Sequence, residues 1–247
     1  MRPTQFFPRL TVHAVVVAAV LATAASTAAG PAPARLAITA LILLAALTGL
    51  HAALDHLAAA QRARWAGEHD ALTRLLNRAQ LTVALARAWQ SARRHDDPLA
   101  VVLVDADRLG EVNDAFGRPV GDRVLAEIAE ACRRAARPGD VWGRWRGSAF
   151  LGVLAKAEGR SATILAEQVR AAVARLTVAT REGVDVRVTV SVGVALDTPD
   201  QRAESADDLV DAADRALYAA KRAGRDRVTS ATRPRLTVPT LAGRAPG

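Results

Sequence analysis

The sequence predicts an α+β domain with an interior antiparallel sheet, preceded by two transmembrane helices. Three observations carry this. Between residues 70 and 230, apolar runs of strand length are interspersed with longer runs whose apolar residues recur at helical spacing. Before residue 55 lie two almost uncharged apolar stretches, each long enough to cross a bilayer. Beyond residue 231, Pro234, Pro239 and Pro246 sit in a stretch without apolar periodicity, so 231–247 is read as a disordered tail.

Residues 1–9 form a short basic head carrying Arg2 and Arg9. In 10–30 the only ionisable side chain is His13. At about 1.5 Å per helical residue this run covers a hydrocarbon core of about 30 Å. Gly30, Pro31 and Pro33 break it, and 36–54 is a second run of similar length. Two readings stand. One is a helical hairpin in the membrane. The other is a secretory signal peptide, with its basic head, apolar core and small residues near 30, followed by a single anchor. Arg2 and Arg9 before the pair, and Arg62 and Arg64 after it, place both ends in the cytoplasm. The expected location is therefore the cytoplasmic membrane, two-pass, with the domain in the cytoplasm. Residues 55–69 continue the second span as a linker helix, with Leu54, Leu57, Ala58 and Trp65 at helical spacing. Such a helix can pair with its copy in a homodimer or pack on the domain.

The domain, 70–230, reads as a helix at 79–94, a strand at 99–105 and an amphipathic helix at 122–136. Hairpin strands follow at 140–145 and 148–154, then a helix at 161–176. A strand region at 184–196, a helix at 206–223 and a short strand at 227–229 complete it. Lys156 and Lys221 are the only lysines, so arginine carries nearly all the positive charge behind the net +8. Those arginines are scattered, with no aromatic-basic patch, which argues against a nucleic-acid partner. Anionic lipid and nucleotide phosphates fit the charge better. The single Cys132 falls inside a predicted helix. It excludes a disulfide framework and fits a reducing compartment.

The chemistry concentrates in two pieces, 105–122 and 143–150. The apolar strand stops at an acidic pair, Asp105 and Asp107, and is followed by Gly110, Gly117, Gly121 and a helix. Carboxylates at a strand end, with glycines and a helix behind them, suit a metal and phosphates. The hairpin turn at Arg146, Gly147 and Ser148 is placed beside them. Trp142 and Trp145 read as packing residues of that hairpin. Asp107 and Asp114 are placed against solvent or neighbouring arginines.

These pieces resemble the GGDEF domain of diguanylate cyclases, and three flanking motifs agree in order. Asp70-Ala-Leu-Thr-Arg-Leu-Leu-Asn-Arg78 is similar to the family's opening motif, and Thr189-Val-Ser-Val-Gly-Val194 to its central strand. The stretch from Ala213 through Lys221 to Arg225 is similar to its closing helix. The resemblance implies a nucleotidyl-cyclase palm-like fold, and a reaction joining two GTP molecules into cyclic di-GMP with a divalent metal. It implies that Asp105 and the acidic third signature letter hold that metal. It further implies that Asn113 and Asp122 read guanine, and that Lys221 and Arg225 contact phosphate from one helix face. Arg137 and Asp140 match the family's inhibitory cyclic di-GMP site. The residue-level alternatives are that Pro138-Gly139 makes an ordinary turn, that Asp122 caps its helix, and that Lys221 and Arg225 are a solvated face.

The signature itself departs: Arg146, Gly147, Ser148, Ala149 and Phe150 stand where GGDEF is the pattern. Both acids are gone. Ser148 is a weak ligand, so the metal site keeps Asp105 alone and is incomplete; Mg²⁺ enters only with residual GTP binding. In a primed hairpin turn, Arg146 would sit in the left-handed region at a cost of about 1 kcal/mol or more. Gly110 stands at a phosphate-lysine position, Arg118 at a histidine, and Gln168 at the helix arginine that joins the inhibitory site. The expected function is a membrane-anchored, catalytically inactive regulatory or receptor module for cyclic di-GMP or GTP. A weakly active cyclase and a structural dimerisation module that binds no nucleotide are the alternatives.

Overall fold

The computed structural model describes residues 32–180 and 183–231, the side chains of 32–38 excepted. The first apolar run, 10–30, and the tail from 232 onward lie outside the described residues. The chain divides into two units, Met1–Gly67 and Glu68–Gly247.

The first unit is represented by one unbroken helix, α1 (Ala32–Glu68), of 37 residues. Its leucines have no core to enter: Leu43, Leu47, Leu50, Leu54 and Leu57 are each more than half exposed. Among the described residues it is the only helix long and apolar enough to cross a membrane. A two-helix membrane hairpin is therefore not seen; one candidate span is.

In the second unit, α2 (Arg78–His95) begins at Asn77, whose side-chain oxygen accepts the Gln80 N–H at 3.1 Å. The chain then runs through β1 (Leu99–Ala106), α3 (Leu109–Phe116) and α4 (Arg118–Ala135) to the hairpin β2 (Val141–Arg146) and β3 (Ala149–Ala155). Helix α5 (Gly159–Ala174) follows, then β4 (Val178–Ala179), β5 (Asp185–Val186) and β6 (Val190–Asp197). The last elements are α6 (Ala206–Arg222) and β7 (Val228–Ser230). Ser205 caps α6 by accepting the Asp208 N–H, with Asp207 and Asp208 in its first turn and Lys221 and Arg222 in its last. Each charge complements the helix dipole.

The main sheet has the order β2-β3-β1-β6-β7. Its first three pairings are antiparallel, but β7 runs parallel to β6, so the sheet is mixed rather than antiparallel throughout. The connection between them carries α6, as a parallel pairing requires. The expected strand region at 184–196 splits, β5 leaving to pair with β4. Helix α3 was not expected; it is eight residues between Arg108 and Gly117, with no fully buried side chain to mark it by period.

Alternation along β1 sorts the core into two faces. Ala100, Val102 and Val104 pack with Val124, Ile128 and Cys132 of α4 and Leu165 and Val169 of α5. Leu99, Val101 and Leu103 pack with Leu81 and Leu85 of α2 and Leu209, Ala213 and Leu217 of α6. The sheet is thus covered on both sides, which is why β1 is apolar at successive positions. Cys132 is fully buried, and burial pushes its thiol well up from the ordinary range.

Candidate nucleotide site

Asp105 lies at the sheet's edge of chemistry. In register it faces Ala149 on β3 and Ser191 on β6. Its two oxygens have separate partners: Ser148 Oγ donates to Oδ1 at 2.5 Å, and Lys221 Nζ of α6 donates to Oδ2. The serine in the turn therefore reaches the one carboxylate that remains.

The turn is shifted by one residue from expectation. Arg144 pairs with Phe150 and Arg146 with Ala149, so Trp145 is an extra residue in β2. Arg146 is consequently a strand residue, and the positive φ of +48° falls on Gly147. The backbone strain expected at Arg146 does not arise. Its side chain instead forms an ion pair with Asp214 of α6. Trp142 is buried, as a packing residue should be, while Trp145 is only partly buried and lies under the guanidinium of Arg78, 5.0 Å away.

Asp107 departs most from its expected surroundings. It is 5% exposed and forms no ion pair with an arginine among the described residues, although it lines a cavity with Arg108, Arg187 and Arg225. Thr189 Oγ1 and Ser191 Oγ each donate to it at 2.7 Å, and the Asp226 N–H at 3.1 Å. All its acceptor capacity toward the sheet is in structural use. Asp114 is exposed.

Asn113 on α3 and Asp122 on α4 do converge. With Gly110, Arg118, Gly121, Arg144, Gly147 and Ser148 they line a concave site of about 320 Å³. Gly121 is needed for that meeting, since a Cβ there would lie 1.9 Å from Asn113 Oδ1. The helix carrying Asp122 starts earlier than expected, at Arg118, with Pro119 in its first turn. Asp122 is therefore inside α4 and is not its cap. The side chains of Asn113 and Asp122 have no hydrogen-bond partner among the described residues.

Lys221 and Arg225 are separated. Helix α6 ends at Arg222, and Arg225 lies beyond it with φ +65°. The shared helix face is therefore absent. Arg225 opens instead onto a cavity of about 460 Å³ with Arg108, Phe116 and Arg187.

At the other candidate site, Arg137 and Asp140 close a turn upon themselves. Asp140 Oδ2 accepts the Arg137 N–H at 2.9 Å, and the Asp140 N–H donates to the Arg137 carbonyl at 3.0 Å. Gly139 takes φ +96°, as the third residue of a type II turn should. The Arg137 guanidinium donates to the Ser161 carbonyl at 3.2 Å. Gln168 lies on α5, lining a groove of about 400 Å³ with Glu127, Arg134 and Arg175.

Sequence reasoning missed Arg144. Its Nη1 lies 3.2 Å from both Asp70 oxygens and its Nε donates to the Gly147 carbonyl at 3.0 Å. It ties the opening turn at Asp70 to the signature turn. The signal was available: a charge inside a hairpin strand, with an Asp at the start of the domain to pair with it. Burial pushes the Asp70 carboxyl up. Hydrogen bonds from the Thr73 N–H and hydroxyl, together with the Arg144 charge, outweigh it and hold the group below its ordinary value. A depressed folded-state value stabilises the domain at pH above the unfolded value, about 4. That contribution is lost as pH falls through the lower, folded-state value. Asp70→Asn is expected to lower Tm by a roughly constant amount at neutral and alkaline pH and to flatten the acid limb, the two profiles converging at low pH, as Tm measured against pH will show.

The donor set does not fit a divalent cation. Mg²⁺ prefers several oxygens, carboxylates among them. Here a single carboxylate is already shared by a hydroxyl and an ammonium. Among the described residues no group of three His, Cys, Asp or Glu side chains could hold a metal.

Comparison with known proteins identifies the fold. The sequence model described as "Diguanylate cyclase, GGDEF domain" matches residues 67–227. Diguanylate cyclase DgcM of Escherichia coli (strain K12) is 37% identical over 166 residues, 67% of this chain and 39% of DgcM. Diguanylate cyclase DosC of the same organism is 35% identical over 159 residues, 64% of this chain and 34% of DosC. The chain thus spans little more than a third of these curated relatives. Among solved structures, the coiled coil and GGDEF domain of DgcB from Caulobacter crescentus, in complex with c-di-GMP, superposes with a TM-score of 0.68. That likeness is 31% in sequence and covers 76% of this chain and 99% of that one. Diguanylate cyclase SiaD from Pseudomonas aeruginosa, in complex with its activator SiaC, gives a TM-score of 0.64 at 31% identity, over 90% of this chain and 84% of SiaD. The family model covers well over half of the chain, the solved structures share its palm-like mixed sheet, and the chain belongs to the GGDEF domain family.

Proposed function

We propose that this protein is a membrane-anchored GGDEF module without cyclase activity, acting in second-messenger signalling as a regulatory receptor for a guanine nucleotide. The observation that carries this is the state of Asp105. Its oxygens are taken by Ser148 and Lys221, and Asp107, two residues on, is held by three hydrogen bonds to other partners. Phosphoryl transfer between two nucleotides relies on metal to offset charge and activate the attacking hydroxyl. A site with one neutralised carboxylate supplies neither.

The receptor reading rests on Asn113 and Asp122, whose unpaired amide and carboxylate face one concave site. Such a pair matches the donor and acceptor edge of guanine. GTP is favoured over cyclic di-GMP, because Asp140 is already committed to its own turn. Anchoring is assigned to α1, with the domain in the cytoplasm. Its exposed leucines at 43, 47, 50, 54 and 57 alternate four and three residues apart, the spacing of a two-helix seam, and support a homodimer.

The test is incubation of the full chain, in lipid nanodiscs, with GTP and Mg²⁺, followed by chromatography for cyclic di-GMP. No product is expected from the natural sequence. Product formation would establish the weakly active cyclase instead. Calorimetry with GTP and with cyclic di-GMP separates the receptor from a purely structural dimerisation domain. Heat with neither nucleotide selects the latter. Cyclic di-GMP binding that is lost in Arg137→Ala would move the receptor site to the 137–140 turn.

A further inference from the structure

We infer that the ammonium of Lys221 occupies the place of a divalent cation at Asp105, so that this site excludes Mg²⁺ and Mn²⁺ and takes a guanine nucleoside triphosphate without metal. This rests on the guanine-nucleotide reading above and goes beyond it in naming the charge partner.

Asp105 is 15% exposed at its side chain and Lys221 33%, so the pair is shielded at one end and open at the other. One negative and one positive charge leave the Asp105 carboxylate itself neutralised. A dication approaching Asp105 would meet an ammonium in contact with the same carboxylate. Each unit charge on the ion is opposed by that ammonium at contact range, where a partly buried setting screens little. The usual offset is a second carboxylate, and Ser148 supplies only a hydroxyl. Asp107 cannot move in, because it is buried under three hydrogen bonds. A dication therefore has one shared ligand and a repelling neighbour.

A polyphosphate meets the opposite situation. Lys221 carries three donors on a flexible stem, one of them spent on Asp105. Arg118, on the wall of the same cavity as Asn113 and Asp122, has no carboxylate partner among the described residues. Arg118 thus accompanies the amide and carboxylate that read the base, and Lys221, linked to that wall through Asp105 and Ser148, is the second cation for the charge neutralisation that a metal does elsewhere.

Two measurements on the full chain in nanodiscs test this. The first is Mn²⁺ titration followed by the EPR signal of free ion. The natural sequence is expected to deplete none, and Ser148→Glu to bind it. Mn²⁺ held by the natural sequence and released in Asp105→Asn would overturn the inference. The second is calorimetric titration with GTP, in excess Mg²⁺ and in EDTA. The two dissociation constants should agree within about twofold, and Lys221→Met should weaken binding by about tenfold or more in both buffers, while Lys221→Arg stays within about threefold. Binding seen only with Mg²⁺, or unchanged in Lys221→Met, overturns the inference and leaves the nucleotide reading standing. No heat in either buffer overturns both.

Discussion

Gly193→Ala is expected to cost upwards of about 3 kcal/mol, enough to remove much of a small domain's stability. Gly193 is central to β6, paired with Leu103 on one side and Thr229 on the other. Helix α6 passes directly over it. A methyl group added there would lie 2.1 Å from the Ala213 carbonyl oxygen and 2.4 Å from the Leu217 nitrogen. Both are backbone atoms of a helix and cannot swing aside as a side chain does. The helix must lift, and with it Leu209, Ala213 and Leu217 leave the face they share with Leu99, Val101 and Leu103. Lys221, on the same helix, would be drawn from Asp105. Urea denaturation followed by circular dichroism measures the loss. Gly110→Ala is the control, because a methyl group there meets nothing within 4 Å. In the first turn of a short helix it should be neutral or stabilising by up to about 1 kcal/mol.

Asp107→Leu is expected to destabilise by about 3 kcal/mol or more, the range for stripping a buried charge from its partners. Three donors would lose their acceptor at once: the hydroxyls of Thr189 and Ser191 and the Asp226 N–H. They come from β6, from the segment before it and from the turn after α6, so the carboxylate fastens three separate pieces of chain beside the nucleotide site. Asp107→Asn keeps one acceptor oxygen and should lose roughly half as much. The shift of the urea midpoint at constant slope checks both. If Asp107 were a nucleotide or metal ligand instead, the two variants would alter ligand binding with little change in that midpoint.

The parts of the fold legible in the sequence were those with a strong period or a strong boundary. The apolar run of β1 and the apolar stripe of α6 each point to one structure. Helix α3 was illegible because it buries no complete side chain and so leaves no stripe. The direction of β7 was illegible for a different reason. Three residues carry no record of whether they run with or against a neighbour.

In the site, the shortage of acids was readable directly from Ser148 and Ala149. The position of the turn was not. A single extra residue at Trp145 moved it, and bulges leave little mark on composition. Asp107 was misplaced because an aspartate beside arginines reads as a surface ion pair. Its partners are hydroxyls more than 80 residues away.

Cys132 gives the domain a built-in timer. It is the only thiol in the chain, it is sealed between α4 and the sheet, and its proton is held tightly by its surroundings. Thiol reagents attack the deprotonated sulfur, so this one reacts only when α4 parts from the strands. The labelling rate under native conditions therefore counts openings of the core, without a mutation or an added probe.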